Sequence, residues 1–207
     1  MRNCAMTPDE KHPYHHGDLR AALLAAAEAE LAEKGVEGFT LRGCAKRAGV
    51  SHAAPAHHFR DADALLTALA AIGSQRLTDS MLARHAAAPD TPMDQYIASG
   101  IGYVDFALSN RALFKLMFGS DRPDFSDPQL SECASEAFGV LIGDVAALRR
   151  DDPMASPAGR LEVASSWALV HGLASLLISG ALSIIQKDFE NDRDGVLREL
   201  ISRVAPR

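Results

Sequence analysis

The chain is predicted to be all-α, with about nine helices, on three observations. Apolar residues recur at spacings of three and four along nearly the whole sequence, and the two-residue alternation of a half-buried strand is absent. Asp, Ser, Thr or Asn stands ahead of most of these runs, and Gly or Pro follows them, as helix starts and stops require. With 207 residues, 47% of them apolar, the chain has ample material for a sizeable core.

Taken in order, residues 1–16 read as a polar arm without the apolar core of a secretory leader. Asp18 caps a first helix in which Leu19, Leu23, Ala26, Ala27 and Leu31 share a face, with Gly35 as its left-handed stop after Lys34. Thr40 caps a short second helix, with Leu41, Cys44, Ala45 and Ala48 inward and Arg42, Lys46 and Arg47 outward. Gly49 closes it, Ser51 caps a third helix reaching Phe59, and Asp61 starts a longer fourth one carrying Leu65, Leu66, Leu69 and Ile72. Beyond Arg84 the helices lengthen and Pro-rich breaks separate them. They are expected over 93–109, from Asn110 through Phe118, over 129–150, from about 157 to Gln186, and from Arg193 to Val204. This divides the chain into the arm, a unit over 17–77 and a larger one over 78–207.

Composition narrows the function classes. A net charge of −6 argues against a protein that coats nucleic acid indiscriminately, because phosphate affinity needs clustered Lys and Arg. Any basic surface has to be local, and the first third is where to look. Three cysteines, Cys4, Cys44 and Cys133, are odd in number and scattered, which fits a reduced cytoplasmic setting. Carboxylates fall at helix starts and in loops, and neither a Gly-rich phosphate loop after a strand nor a nucleophile elbow occurs. A helical enzyme acting on small molecules is the alternative class. Adjacent histidines, His15 with His16 and His57 with His58, point about 100° apart on a helix and chelate one ion poorly. Neither a metal nor a cofactor is expected.

The segment "TLRGCAKRAGVSHAAPAHHF" (40–59) carries the functional signal: helix, short Gly-containing turn, helix. That is the helix-turn-helix pattern, whose second helix enters the DNA major groove. Projected at ~100° per residue, Val50, Pro55 and Phe59 face the core. Ala53, Ala54 and His57 point away, flanked by Ala56 and His58, with His52 at the helix start. Small side chains permit close approach to base pairs, alanine methyls suit thymine methyls, and histidines can bond base edges. Arg42 has the reach for a guanine or a phosphate, and the free amides at the start of the third helix suit a phosphate. The expected DNA-contacting residues are Thr40, Arg42, Lys46, Ser51, His52, Ala53, Ala54, His57, His58 and Arg60. Pro55 lacks the N–H that would bond Ser51, so a distorted first turn is expected.

The stretch from "HHGDLRAALL" to "DADALLTAL", about residues 17–77, resembles the N-terminal domain of tetracycline-repressor-type (TetR family) transcription regulators. The Gly-x-x-Gly-Phe-Thr turn, the Ala-Gly-Val-Ser turn, and His-Phe ahead of an acidic-start helix ending in Leu-Leu fall in register. "WALVHGLASLL" (167–177) resembles the ligand-binding domain of the subgroup with a Trp-His-Gly motif. The resemblance implies a homodimer on a pseudo-palindromic double-stranded operator, usually a repressor released by a small molecule. Two departures are visible: Ala56 stands where members usually carry a phosphate-contacting tyrosine, and Ala62 where a lysine is common. Gly43 is also an unusual choice inside a helix, costing ~1 kcal/mol relative to alanine.

The run 165–186 has no formal charge and approaches the length of a membrane span. Its His171, Gly172, Gly180 and serines, and flanks without an aromatic belt, instead favour a helix shared between a core and a second copy. Leu169, Leu173, Leu176, Ile184, Leu197 and Leu200 are the expected dimer contacts, and no membrane is expected as a partner. Phe106, Phe114, Met117, Phe118, Phe138, Trp167 and His171 are the candidates for an apolar effector pocket, with His171 the first choice for a polar contact.

Overall fold

The computed structural model describes residues 19–206 and contains nine α-helices with no strand among them. The predicted arm and the Asp18 cap lie outside the described residues. Helices α1 (Leu19–Lys34), α2 (Leu41–Arg47) and the first half of α3 (Ala62–Ala87) form a small N-terminal unit. Its core is Leu23, Ala27, Leu31, Phe39, Cys44, Phe59, Leu65, Leu66 and Leu69. Helices α4 (Pro92–Ser109), α5 (Arg111–Gly119), α6 (Pro128–Arg149), α7 (Pro157–Ser179), α8 (Gln186–Asn191) and α9 (Arg193–Ser202) build the larger one. The expected boundary at 77/78 falls inside α3, which packs on α1, α4, α5 and α6.

Local chemistry sets most helix starts. Thr40 Oγ1 accepts from the Gly43 amide at 3.0 Å, Asp61 Oδ1 from Ala64 at 2.8 Å and Asp127 Oδ1 from Leu130 at 3.0 Å. Each satisfies one of the orphan amides of a first turn. Asn110 does not cap with its side chain; its Nδ2 donates back to the Phe106 carbonyl at 3.0 Å.

Packing explains α4. Nearly every residue from Tyr96 to Ala107 is buried, because α3, α6, α7 and α9 surround it. At Gly102 the backbones of α3 and α4 approach so closely that a Cβ would lie 2.7 Å from Met81 Cα and 2.6 Å from the Ser80 carbonyl. Ser80 Oγ uses that proximity to donate to the Gly102 carbonyl at 2.8 Å.

The structure corrects two helix predictions. The expected third helix, Ser51 to Phe59, is a single 3₁₀ turn at Ala54–His57. Its bonds run i to i+3, from Ala56 N to Ala53 O at 3.2 Å and from His58 N to Pro55 O at 2.9 Å, and Phe59 N closes the turn with an i to i+4 bond to the same carbonyl at 2.9 Å. Pro55 supplies no N–H, so the wider α ladder cannot close there. Ser51 makes no capping bond, and so short a turn has no helix dipole for a phosphate. The helix expected to reach Gln186 stops at Ser179, because Gly180 takes a left-handed φ of 73° and Ala181 N folds back onto Leu176 O at 2.9 Å. Helix α7 remains long and apolar enough, by length and composition alone, to cross a membrane.

Candidate nucleic-acid interface and effector cavity

The turn at 51–58 is fixed from beneath. Pro55 and Phe59 are buried against the N-terminal core, Gly49 makes the bend with φ 69°, and the Val50 amide donates to Ala45 O at 3.0 Å. Ser51, His52, Ala53, Ala56, His57 and His58 are left exposed and Ala54 half-exposed. On α2, Thr40, Arg42 and Lys46 are exposed, and neither Arg42 nor Lys46 has a carboxylate partner among the described residues. Arg60 is exposed and its Nε lies 2.8 Å from Asp61 Oδ2.

Arg47 behaves differently. It turns back to α1, with Nη2 3.0 Å from Glu30 Oε2 and 2.5 Å from Glu33 Oε2. Lys34 and this guanidinium together hold the Glu33 carboxyl down at about 2. Glu30 is itself buried, and it accounts for Gly43: a Cβ there would collide with Glu30 Oε1. The glycine costs helix propensity and leaves room for the ion pair that joins α1 to α2. Burial also pushes the Cys44 thiol up to about 11, so it is an inert core group.

One exposed cation was missed from sequence. Arg20, in the first turn of α1, lies over the Phe59 ring with its guanidinium carbon 5.5 Å from the centroid. Nothing in a lone arginine at a helix start signals that contact; only the folded position of Phe59 reveals it.

In the larger unit, α3, α4, α5, α6, α7 and α9 line an apolar cavity of about 350 Å³, and Phe125, Phe138 and Trp167 of its wall are also exposed to solvent. Met117, Phe118, Phe138 and Trp167 line it, as do Leu77, Met81, Tyr96, Ser99, Tyr103, Phe125 and Ser166, which sequence reading did not single out. Phe106, Phe114 and His171 lie outside the lining. Phe106 is sealed in the core at 2% exposure. His171 stands behind the wall, stacked on Phe114 at 5.2 Å, with Nδ1 2.9 Å from Tyr103 Oη. Burial lowers its pKa, which favours the neutral ring. Polar residues in the middle of α4 carried no sequence signal for the cavity, since helical spacing alone does not distinguish a buried serine from a solvated one.

The cavity is wired to the N-terminal unit. Ser74, Leu77 and Met81 of α3 form one wall, and Phe125 of the 120–127 loop forms part of another. From that loop Arg122 Nη1 donates to the Val36 carbonyl at 2.6 Å, Arg122 Nε to Asp63 Oδ1 at 2.8 Å, and the Asp124 amide to Thr67 Oγ1 at 2.9 Å. Arg76 of α3 grips Glu28 of α1 through two bonds of 2.5 and 2.9 Å.

A second surface runs along α7. Leu161, Ala164, Ser165, Ala168, Leu176 and Ser179 are exposed, with Gly172 and Ser175 half-exposed between them. Of the predicted dimer contacts, Leu176 is 43% and Ile184 87% exposed, and Leu169 and Leu200 are half-buried. Leu173 and Leu197 are withdrawn: both are buried in the protomer's own core.

Residues 23–69 match the family of bacterial regulatory proteins of the tetR type, and residues 96–204 match the tetracyclin repressor-like C-terminal domain. The chain belongs to the TetR family. It is a DNA-binding transcriptional regulator and not an enzyme. No curated protein matches it in sequence. Among solved structures it is similar to a protein of unknown function from Rhodococcus sp. RHA1, 34% identical, with TM-score 0.74, covering 94% of this chain and 95% of that one. It also shares its fold with a TetR family transcription regulator from Marinobacter aquaeolei VT8, at 18% identity and TM-score 0.65 over 92% of this chain and 97% of that one. The TetR family transcriptional regulator PfmR from Thermus thermophilus gives 16% identity and TM-score 0.62 over 88% and 96%. TetR-family regulators bind DNA and typically form homodimers.

Proposed function

We propose that this TetR-family regulator is a ligand-responsive homodimeric repressor, working in the cytoplasm on a pseudo-palindromic operator. One observation carries the reading of the DNA face: the side of residues 51–58 opposite buried Pro55 and Phe59 holds only small and imidazole side chains and lies open beside Arg42 and Lys46, which have no carboxylate partner among the described residues. Ala53, Ala54 and His57 face the base edges, with His52 and His58 flanking them. Thr40, Arg42, Lys46, Ser51 and Arg60 meet the backbone or a guanine, and Arg20 joins them. The exposed side of α7 pairs with its copy, and Leu176 and Ile184 are covered there. Two-fold symmetry then presents two such faces to successive major grooves about 34–36 Å apart.

A small apolar effector in the cavity acts through α3 and the 120–127 loop, which belong to the cavity wall and also hold the N-terminal unit. The effector can act only by preferring one arrangement, and a coupling of ~1–3 kcal/mol changes operator affinity ~5–150-fold. With neither a tyrosine at Ala56 nor a lysine at Ala62, phosphate anchors are few and the salt dependence of binding is shallow. Selection of bound sequences from random duplexes, followed by footprinting, tests the reading. A two-fold symmetric site about two major grooves long is the expected result; selected sequences without symmetry would sink the dimer geometry.

A further inference from the structure

We infer that the effector is a neutral, mainly apolar molecule of about two-ring size carrying one hydrogen-bond donor, which it directs at Ser99. The inference rests on the reading of the cavity as the effector site and gives that site a ligand class. Size comes first. At about 350 Å³ the cavity is more than twice the ~150 Å³ engineered void that holds benzene. Beside aliphatic side chains, six aromatic ones line it: Trp167, Phe118, Phe138, Phe125, Tyr96 and Tyr103. Flat apolar surface is therefore what they pack best.

Charge comes next. Among the described residues, the lining contains no Lys, Arg, His, Asp or Glu. A carboxylate entering it would lose its hydration with no cation to replace it, and at Ser99 it would approach Asp144, whose Oδ2 lies 2.5 Å from Ser99 Oγ. An ammonium would be desolvated as well, and that buried carboxylate already has a partner: Asp144 Oδ1 is 3.1 Å from His85 Nε2, within ion-pairing distance though not aligned for a hydrogen bond.

The hydroxyl protons decide the polarity. Ser99 has one proton and two inward acceptors, Asp144 Oδ2 at 2.5 Å and the Tyr96 carbonyl at 3.1 Å. With Asp144 ionised beside His85, the Ser99 proton goes to Asp144 Oδ2 and lone pairs are left for the cavity. Ser166 donates to the Glu162 carbonyl at 2.8 Å, and Tyr96 Oη donates to Ser166 Oγ at 2.8 Å. Tyr96 also retains only acceptor capacity. Ser74 and Tyr103 are the exceptions: the Ser74 hydroxyl has no partner among the described residues, and the direction of the Tyr103 Oη bond to His171 Nδ1 follows the imidazole tautomer. A site with this balance rewards a ligand that donates. A ligand offering only an acceptor sets its lone pairs against those of Ser99 with no proton between them, and such mismatched buried polar groups are what discriminate between close analogues.

Trp167 is the chain's one tryptophan, and it stands at the cavity wall 6.4 Å from Phe118 and 5.9 Å from Phe138. Its fluorescence reports occupancy without any DNA present. The test titrates the purified full chain with para-phenylphenol, its methyl ether, the matching biphenyl carboxylate and the matching biphenylmethyl ammonium. The phenol is expected to bind at least about tenfold tighter than the ether and about a hundredfold tighter than either ion. In Ser99→Ala the phenol is expected to fall to the ether's affinity while the ether is unchanged, which also shows that the variant has folded. Equal binding of phenol and ether, an ion matching the phenol, or no binding by any of the four overturns the inference. Should symmetric operators emerge from the duplex selection while this titration fails, only the ligand class is wrong; failure of the selection instead removes the repressor reading itself.

Discussion

Residues 41–59 and helix α4 are nearly equal in length and use their side chains in opposite ways. Helix α4 buries residues on every side, from Tyr96 to Ala107, because four other helices surround it. The 41–59 segment holds to its core through Cys44, Ala45, Pro55 and Phe59, with Leu41, Ala48 and Val50 half-buried beside them, and leaves its outer side open. A helix serving only its own fold accumulates bulk. A segment committed to an outside partner is pinned by a few residues and kept small elsewhere. The contrast also separates what a substitution should damage in each place: stability in α4, DNA recognition in the turn.

Several substitutions would break or sharpen that contrast. The largest effect is expected from Gly102→Leu, which drives a side chain into the α3 backbone and should cost about 3 kcal/mol or more, seen as a lowered thermal midpoint. Within α2, Arg42→Ala should lose about 1–3 kcal/mol of operator affinity in a gel shift at fixed salt and leave the midpoint unmoved. Arg47→Ala, five residues on, should do the reverse. It strands buried Glu30 and should cost about 2 kcal/mol of stability while base preference survives. If the two arginines behaved alike, the division between face and scaffold would be lost. Gly43→Ala should destabilise by about 1 kcal/mol, although helix propensity alone predicts a gain of ~1, because the methyl displaces the Glu30 carboxylate. A gain would show that the ion pair moves aside freely.

Smaller effects follow from charge. Lys46→Ala should reduce the slope of log affinity against log salt by ~0.9 if Lys46 meets a phosphate. The His171 pKa is lowered by burial, so its neutral form contributes stability that is present above the ordinary value near 6.5. That contribution is lost as pH falls from there through the lowered folded value. His171→Phe should flatten the stability profile over this window, measured by denaturant titration at several pH values. An unchanged profile would mean the ring is hydrated in the folded state.

The helix starts at Leu41 and Ala62 were legible because caps are local: Thr40 and Asp61 each bond an amide three residues ahead. The exposed side of 51–58 was legible for a related reason. Pro55 and Phe59, four residues apart, are both buried, and the Phe59 amide bonds the Pro55 carbonyl at 2.9 Å as it would in an α-helix. The shape of the turn was not legible, since the effect of one missing N–H depends on whether the flanking chain is free to tighten. Spacing alone puts Ile184 on a continuing helix, and the left-handed backbone at Gly180 ends that helix at Ser179. The cavity was half legible. Aromatic residues marked Phe118, Phe138 and Trp167, whereas Ser99, Ser166 and Tyr96 carry no pattern of their own.

By itself the sequence determined the all-helical class, most helix boundaries and the small, open side of the turn, because those depend on interactions spanning three or four residues. Tertiary structure decided which cations stayed free, which leucines left the surface and which hydroxyls spent their protons inward. Each of those outcomes depends on what a distant helix brings within about 3 Å, and spacing along the chain does not encode it.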